Sequence, residues 1–364
     1  MTRFVRLAAV VLLAMPVASA PMMAAPKHGS HKVTTKSHKS TLKKTKKSTS
    51  RSQKATPRPK IPLAARRSFN LLQKTVLVLG TATPGGGFPL YGDALADAVN
   101  ETDSSFQIET RNTKGSAENI SLLENNAIDI ALVSGEPAYE AFAGIGRPIT
   151  NLRIVTAIYS TPGMFAVRGD SSYRSVKSLV GQPVAWGTRD SGLTLLARFV
   201  MEGLSLDRDK DFNPVYLDRA GDGPNMVLDG RVAALWGGGT GWPGFTAVTK
   251  NGGRLIGLSR ADAARIRKKY SFLKPLVVPA GTYPNQPDVI TSVGSWSYVL
   301  ARPTLDDDVA YRLARAIHRS YNKLVKRVAQ AHETTPQNTV AAAPRVANIH
   351  PGVQKYLRQI GIIR

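Results

Sequence analysis

Residues 80–99 read GTATPGGGFPLYGDALADAV, with three successive glycines between the apolar run TVLVL and a segment of helical spacing. Glycines at such a junction let backbone N–H groups approach a ligand closely, and a helix start adds partial positive charge. Phosphate is the first chemistry to test, and the nucleotide motifs fail. A Walker A loop needs Gly-Lys-Ser/Thr after its four-residue gap, yet no Lys occurs between Lys74 and Lys114. A dinucleotide fingerprint starting at Gly85 needs glycine at position 90, where Leu90 stands. The Gly85–Gly86–Gly87 turn instead suits a carboxylate or other small anion. A tight turn without any ligand is the alternative.

Three further loops repeat the pattern. TKGSAEN puts Gly115 and Ser116 at a helix start with Asn119 in its first turn, although Ser116 is also an ordinary helix cap. RDSGLT sets Ser191 and Thr194 at another helix N-terminus. LWGGGTGWPGF ends a late strand with Trp236 and three glycines, and Trp236 reads either as a core residue or as a ligand platform. Signatures of catalysis are weak: HExxH, CxxC and GxSxG are absent, and the body's histidines, His318, His332 and His350, sit in no partner motif. Asp306, Asp307 and Asp308 read as an acidic helix start rather than a metal site. The expectation is a binding protein, with no catalytic residue, metal or cofactor.

The elements that carry these loops alternate. Strands at TVLVLGT, SFQIETR and AIDIALVSG are each followed by a helix, and LRIVTAIYS and GMFAVRG read as two more strands. A second series begins at VKSLVGQPVAWGT. It runs through the helix SGLTLLARFVMEGL, the strands around NPVYLD, VAALWGG and RLIGLS, and helices between them. KPLVVPAGTYPNQPD reads as a turn into a long strand, VITSVGSWSYVLA, and DDDVAYRLARAIHRSYNKLVKRVA as one helical stretch before a terminal helix near PGVQKYLRQIG. Short crossovers predict α/β units with parallel sheets. Two such units with a return of the chain imply two lobes and a cleft, with ligands at the carboxyl ends of strands.

The formal charge of +24 on 364 residues points at first to nucleic acid or a membrane. Its distribution argues otherwise. Residues 1–92 hold 17 Lys or Arg and no acid, while the rest carries 32 bases against 25 acids. No nucleic-acid partner is expected. MTRFVR followed by LAAVVLLAMPVASA has the form of a secretory signal over residues 1–25. Pro21 after Ala20 shifts cleavage slightly earlier or towards Ala24, and a retained signal would act as an anchor. Residues 26–74 are rich in Lys, Ser and Thr and too poor in apolar side chains to fold. This arm reads as a flexible coil spanning roughly 40 Å, either a spacer or an adhesive for an anionic envelope surface. The chain has no cysteine, so an exported form relies on its core alone.

Together GTATPGGGFPLYGDALA, TKGSAENISLLENNAIDIALV, PAGTYP and IHPGVQKYLRQIG resemble the TAXI family of extracytoplasmic solute receptors of TRAP transporters, over residues 75–362. The resemblance implies a two-lobed periplasmic-binding-protein (type II) α/β fold with a hinge and an interlobe cleft. The lobes would be 75–167 plus 281–364, and 168–280. It implies a periplasmic monomer that takes an amino acid or organic acid to a TRAP-type permease. An envelope-tethered sensor or interaction module on the same fold is the alternative. Ligand contacts would come from Thr83, Gly85, Gly86, Gly87 and Phe88, from Gly115, Ser116 and Asn119, and from Ser191, Gly192 and Thr194. Trp236 and Gly237 would line the far wall. Phe88 and Pro89 stand where that family usually has tyrosines, and Arg189-Asp190-Ser191-Gly192-Leu193-Thr194 replaces its Pro-Gly-Ser-Gly-Thr.

Overall fold

The computed structural model describes residues 74–364. The expected signal peptide and all but the last residue of the expected basic arm lie outside these residues. Strand β1 (Thr75–Gly80) pairs in parallel with β2 (Phe106–Arg111), Thr75 opposite Phe106, and with β3 (Ile130–Val133). The crossovers are helices α1 (Gly87–Asn100) and α2 (Ser116–Glu124), and α3 (Gly135–Ala143) follows β3. Helix α1 shows how the sequence builds such a unit. Tyr91, Leu95, Ala98 and Val99 recur at helical spacing and are all buried, so one face packs onto the sheet.

The chain then runs through β4 (Arg153–Val167), β5 (Pro183–Ala185), α4 (Gly192–Gly203), β6 (Asn213–Val215), α5 (Gly223–Leu228), β7 (Ala234–Gly238) and α6 (Pro243–Lys250). Next come β8 (Arg254–Ile256), α7 (Arg260–Lys269), β9 (Lys274–Val278) and β10 (Ile290–Ala301). Helices α8 (Asp307–Arg319), α9 (Tyr321–Arg327), α10 (Pro336–Ala342) and α11 (Pro351–Gln359) complete it.

The strand order is β2-β1-β3-β10-β4-β7-β5-β6, with β8 added to β4 and β9 to β10. Each outer trio is parallel, as the crossovers require, but β10 and β4 run antiparallel to their neighbours. The sheet is therefore mixed, not wholly parallel. This is an α/β fold of the two-lobed kind. One core gathers around Leu79, Phe106, Ile120 and Leu300. The second lobe has a core on each face of its sheet, because alternation along β4 sends Phe165 and Val167 to one side and Met164 and Ala166 to the other.

Three local expectations change. The two strands read at 152–160 and 163–169 are one 15-residue strand, β4. Pro162 lies opposite Gly294, where the missing Cβ leaves room for the Thr161 carbonyl. Residues 274–278, expected as turn, form β9 on the edge beside β10, where Pro275 is tolerated. The long C-terminal helix divides at Ser320, whose hydroxyl turns back to the Ile317 carbonyl. Among the described residues no helix is long and apolar enough to cross a membrane.

Candidate functional site

A cavity of about 70 Å³ lies between the lobes. Its floor comes from the two strands that run through both lobes: Tyr159 and Thr161 on β4 and Ser297 on β10, with the Thr161 and Ser297 hydroxyls 3.1 Å apart. One wall is the Ala82–Phe88 loop with Lys114, Gly115, Ser116 and Ser134. The other is Thr188, Ser191, Leu193, Ala220, Gly238 and Trp242.

The wall residues share a structural role. Gly86, Gly115, Ser134, Ser191 and Trp242 are the N-cap residues of α1, α2, α3, α4 and α6, and all five line this cavity. Each helix start brings partial positive charge and N–H groups without intrahelical partners. At Gly86, Gly115, Ser134 and Trp242 no side chain caps the helix. Ser191 differs, since its hydroxyl accepts from the Leu193 N–H at 3.2 Å. Lys114 is the one charged side chain among the lining residues, and no carboxylate faces the cavity. Dipoles, hydroxyls and one cation are groups that can hold a small anion.

The aromatic side is apolar in practice. Tyr159 packs edge-on to Phe88 with centroids 6.4 Å apart, and against Tyr91 at 5.2 Å. Burial, reinforced by Tyr91, pushes the Tyr159 phenol far above its ordinary range, so it stays protonated. Tyr91 itself is fully buried, its hydroxyl 2.7 Å from that of Thr334.

The lobes meet directly around the cavity. The Ala117 N–H donates to the Asp190 carbonyl at 3.2 Å, and the Ala220 N–H donates to the Thr83 hydroxyl at 3.2 Å. Gly115 makes the first approach possible. Its φ is 129°, and a Cβ there would fall 2.9 Å from the Asp190 carbonyl oxygen. Outside the cavity, Arg198 on α4 pairs with Glu140 on α3 at 2.6 Å, and Tyr139 stacks on Phe272 at 4.0 Å. The molecule is in a closed arrangement.

Of the residues expected at the site, Thr83, Gly86, Gly87, Phe88, Gly115, Ser116 and Ser191 line the cavity. The others stand behind it. Gly85 packs against the backbone of Gly221, and Gly192 against Ser134. Asn119 is buried, and its amide donates to the carbonyls of Thr81 and Leu132 at 2.8 Å, tying strand ends together. Thr194 donates to the Thr188 carbonyl at 2.7 Å. Trp236 is only 1% exposed, packed among Phe165 and Trp186, with its indole N–H on the Leu193 carbonyl at 2.8 Å. Gly237 leaves space for the ring of Trp242, and it is Trp242 that reaches the cavity. Lys114, Ser134, Tyr159, Thr161, Thr188 and Ser297 also line it. The sequence signal for Lys114 and Ser134 was their place beside helix starts. For Tyr159, Thr161 and Ser297, on strand interiors far apart in sequence, there was none.

Fold and cavity together define a periplasmic solute-binding protein architecture. The chain belongs to the NMT1-like family, whose model matches residues 79–361. That family is one of periplasmic substrate-binding proteins. MatC from Rhodopseudomonas palustris with bound malate is 13% identical, with 79% of this chain and 97% of that one covered and a TM-score of 0.53. A solved periplasmic transporter is 14% identical, with coverage of 78% and 92% and a TM-score of 0.51. At these identities the likeness is one of fold.

Proposed function

We propose that this protein captures a small carboxylated solute, an amino acid or organic acid, outside the cytoplasm and hands it to a TRAP-type secondary transporter, as a TAXI-like receptor without catalytic activity. The observation that carries the reading is the convergence of five helix N-caps and Lys114 on one cavity without a lining carboxylate. The working parts are a lobe of residues 75–167 plus 281–364 and a lobe of 168–280. The ends of β4 and β10 serve the second lobe's core. Solute enters an open form, and closure brings the Ser191 side to the Gly86 and Gly115 side.

The test is a thermal-shift screen of amino acids, mono- and dicarboxylates and sulfonates, with mass spectrometry of any solute that copurifies. Stabilisation by a carboxylate supports the reading. Stabilisation by sulfonates alone would replace the solute class, and stabilisation by none would remove the transport role. A neighbouring TRAP permease gene supports delivery to that transporter. The second reading, an envelope-tethered sensor or interaction module, is favoured by the arm of residues 26–74, with 15 bases and no acid. Salt-sensitive pelleting with anionic vesicles, lost on deletion of residues 26–60, would support it.

A further inference from the structure

Glu136 is the second residue of α3, whose N-cap Ser134 lines the cavity. It is 1% exposed, which is unusual for a carboxylic acid without a cation. The Ser295 hydroxyl on β10 donates to one carboxyl oxygen at 2.6 Å, and the other oxygen has no partner. Ser297, two residues along the same strand, is part of the cavity floor. The carboxyl therefore sits directly behind the cavity, joined to it through a helix start and a strand.

What surrounds it does not neutralise it. From β10 come the Ser295 hydroxyl and the buried phenol of Tyr298, which a charge on Glu136 pushes further up. On α4, which packs against α3, Arg198 is paired with Glu140 and Glu202 is bonded to Tyr270. Among the described residues no ion pair reaches Glu136. Burial raises its carboxyl to about 7, and the Ser295 bond offsets this only in part.

We infer that Glu136 is the proton-controlled element of the anion site: the cavity binds its solute tightly with the Glu136 carboxyl protonated and weakly with it ionised. The inference rests on the anion reading of the cavity. An ionised Glu136 cancels the positive end of α3 and repels the solute through a poorly screened interior. A proton removes that opposition and gives the unpartnered oxygen an O–H. By linkage, an anion entering the cavity near neutral pH draws a proton onto Glu136.

Calorimetry tests this with sulfate, ethanesulfonate and propionate, anions whose own charge is constant from about pH 6 to about pH 8.5. A buried unit charge this close to the cavity predicts affinity falling on the order of tenfold over that range in the wild type. Binding at pH 7 should take up a proton, seen as a dependence of the heat on buffer ionisation. Glu136→Gln should stay at the tight limit across the range without proton uptake. If the variant does not fold, the difference infrared spectrum of the wild type reads the same event, as loss of a carboxylate band and gain of a protonated carboxyl band on binding. Equal pH dependence in both proteins, or a spectrum without that exchange, overturns the inference and leaves the anion site standing. Failure of all three probes to bind either protein at any pH removes the anion reading itself.

Discussion

Replacing Gly192 with Ala tests whether the closed arrangement is the high-affinity one. Gly192 opens α4, and its backbone passes the Ser134 side chain at the start of α3 on the other lobe. An added Cβ would sit about 1 Å inside the 3.4 Å at which ordinary contact begins, and 3.1 Å from the Ser116 hydroxyl. Gly192 is not among the glycines with positive φ, so Ala brings no backbone strain there. The overlap exists only when the lobes meet, so its cost of about 1–3 kcal/mol falls on the closed form alone. Apparent affinity for the solute should drop roughly fivefold to a hundredfold. Each lobe should keep its stability, and solution scattering should show a larger radius of gyration with solute present. Ser134→Gly in the same chain removes the atoms that clash and should restore part of the loss. Affinity within twofold of wild type and unchanged scattering would refute the reasoning.

Lys114→Ala should weaken anion binding by roughly fivefold at low salt, about 1 kcal/mol for an exposed cation, and the difference should shrink as salt is added to the titration. Trp236→Phe should cost about 1–2 kcal/mol in urea unfolding, through the lost bond to the Leu193 carbonyl, with solute affinity unchanged. His350 is buried with Nδ1 accepting from the Gly352 N–H, and burial lowers its pKa below the usual 6.5. Its folded form thus binds protons less readily than its unfolded form. It contributes stability that is complete above pH 6.5 and lost as pH falls through its folded value, and His350→Asn should flatten that limb of the urea midpoint curve. Glu136 acts in the opposite sense. Its raised value means stability is full below its ordinary 4.5 and falls by about 3 kcal/mol as pH rises to about 7, a loss that Glu136→Gln should abolish.

The alternation of short apolar runs with helical segments was enough to read the two α/β units, because each crossover buries a periodic face such as that of Tyr91, Leu95 and Val99. What periodicity could not convey was the antiparallel pair β4 and β10, since strand direction depends on partners more than 120 residues away. The site divides along the same line. Thr83, Gly86, Gly115, Ser116 and Ser191 announce themselves as turn and cap residues, and the cavity is built from helix starts. Gly85, Gly192 and Gly237 carry the same signal for a different reason: they make room for a neighbouring backbone or ring. Trp236 and Trp242 are six residues apart in one motif, and only tertiary packing sends the first inward and the second to the cavity.

β4 and β10 are paired with each other from Arg153 to Pro162, and both run through the two lobes. Any rocking of one lobe on the other must therefore flex a two-ply ribbon, not swing on a slack tether. The ladder is out of step between Trp296 and Tyr298, beside the floor residue Ser297, and again between Val299 and Leu300. A ribbon of this kind has one soft axis and resists twist and slide. On the proposed reading, closure would follow that one axis, and the size of an acceptable guest would be set by how far the ribbon lets the lobes travel.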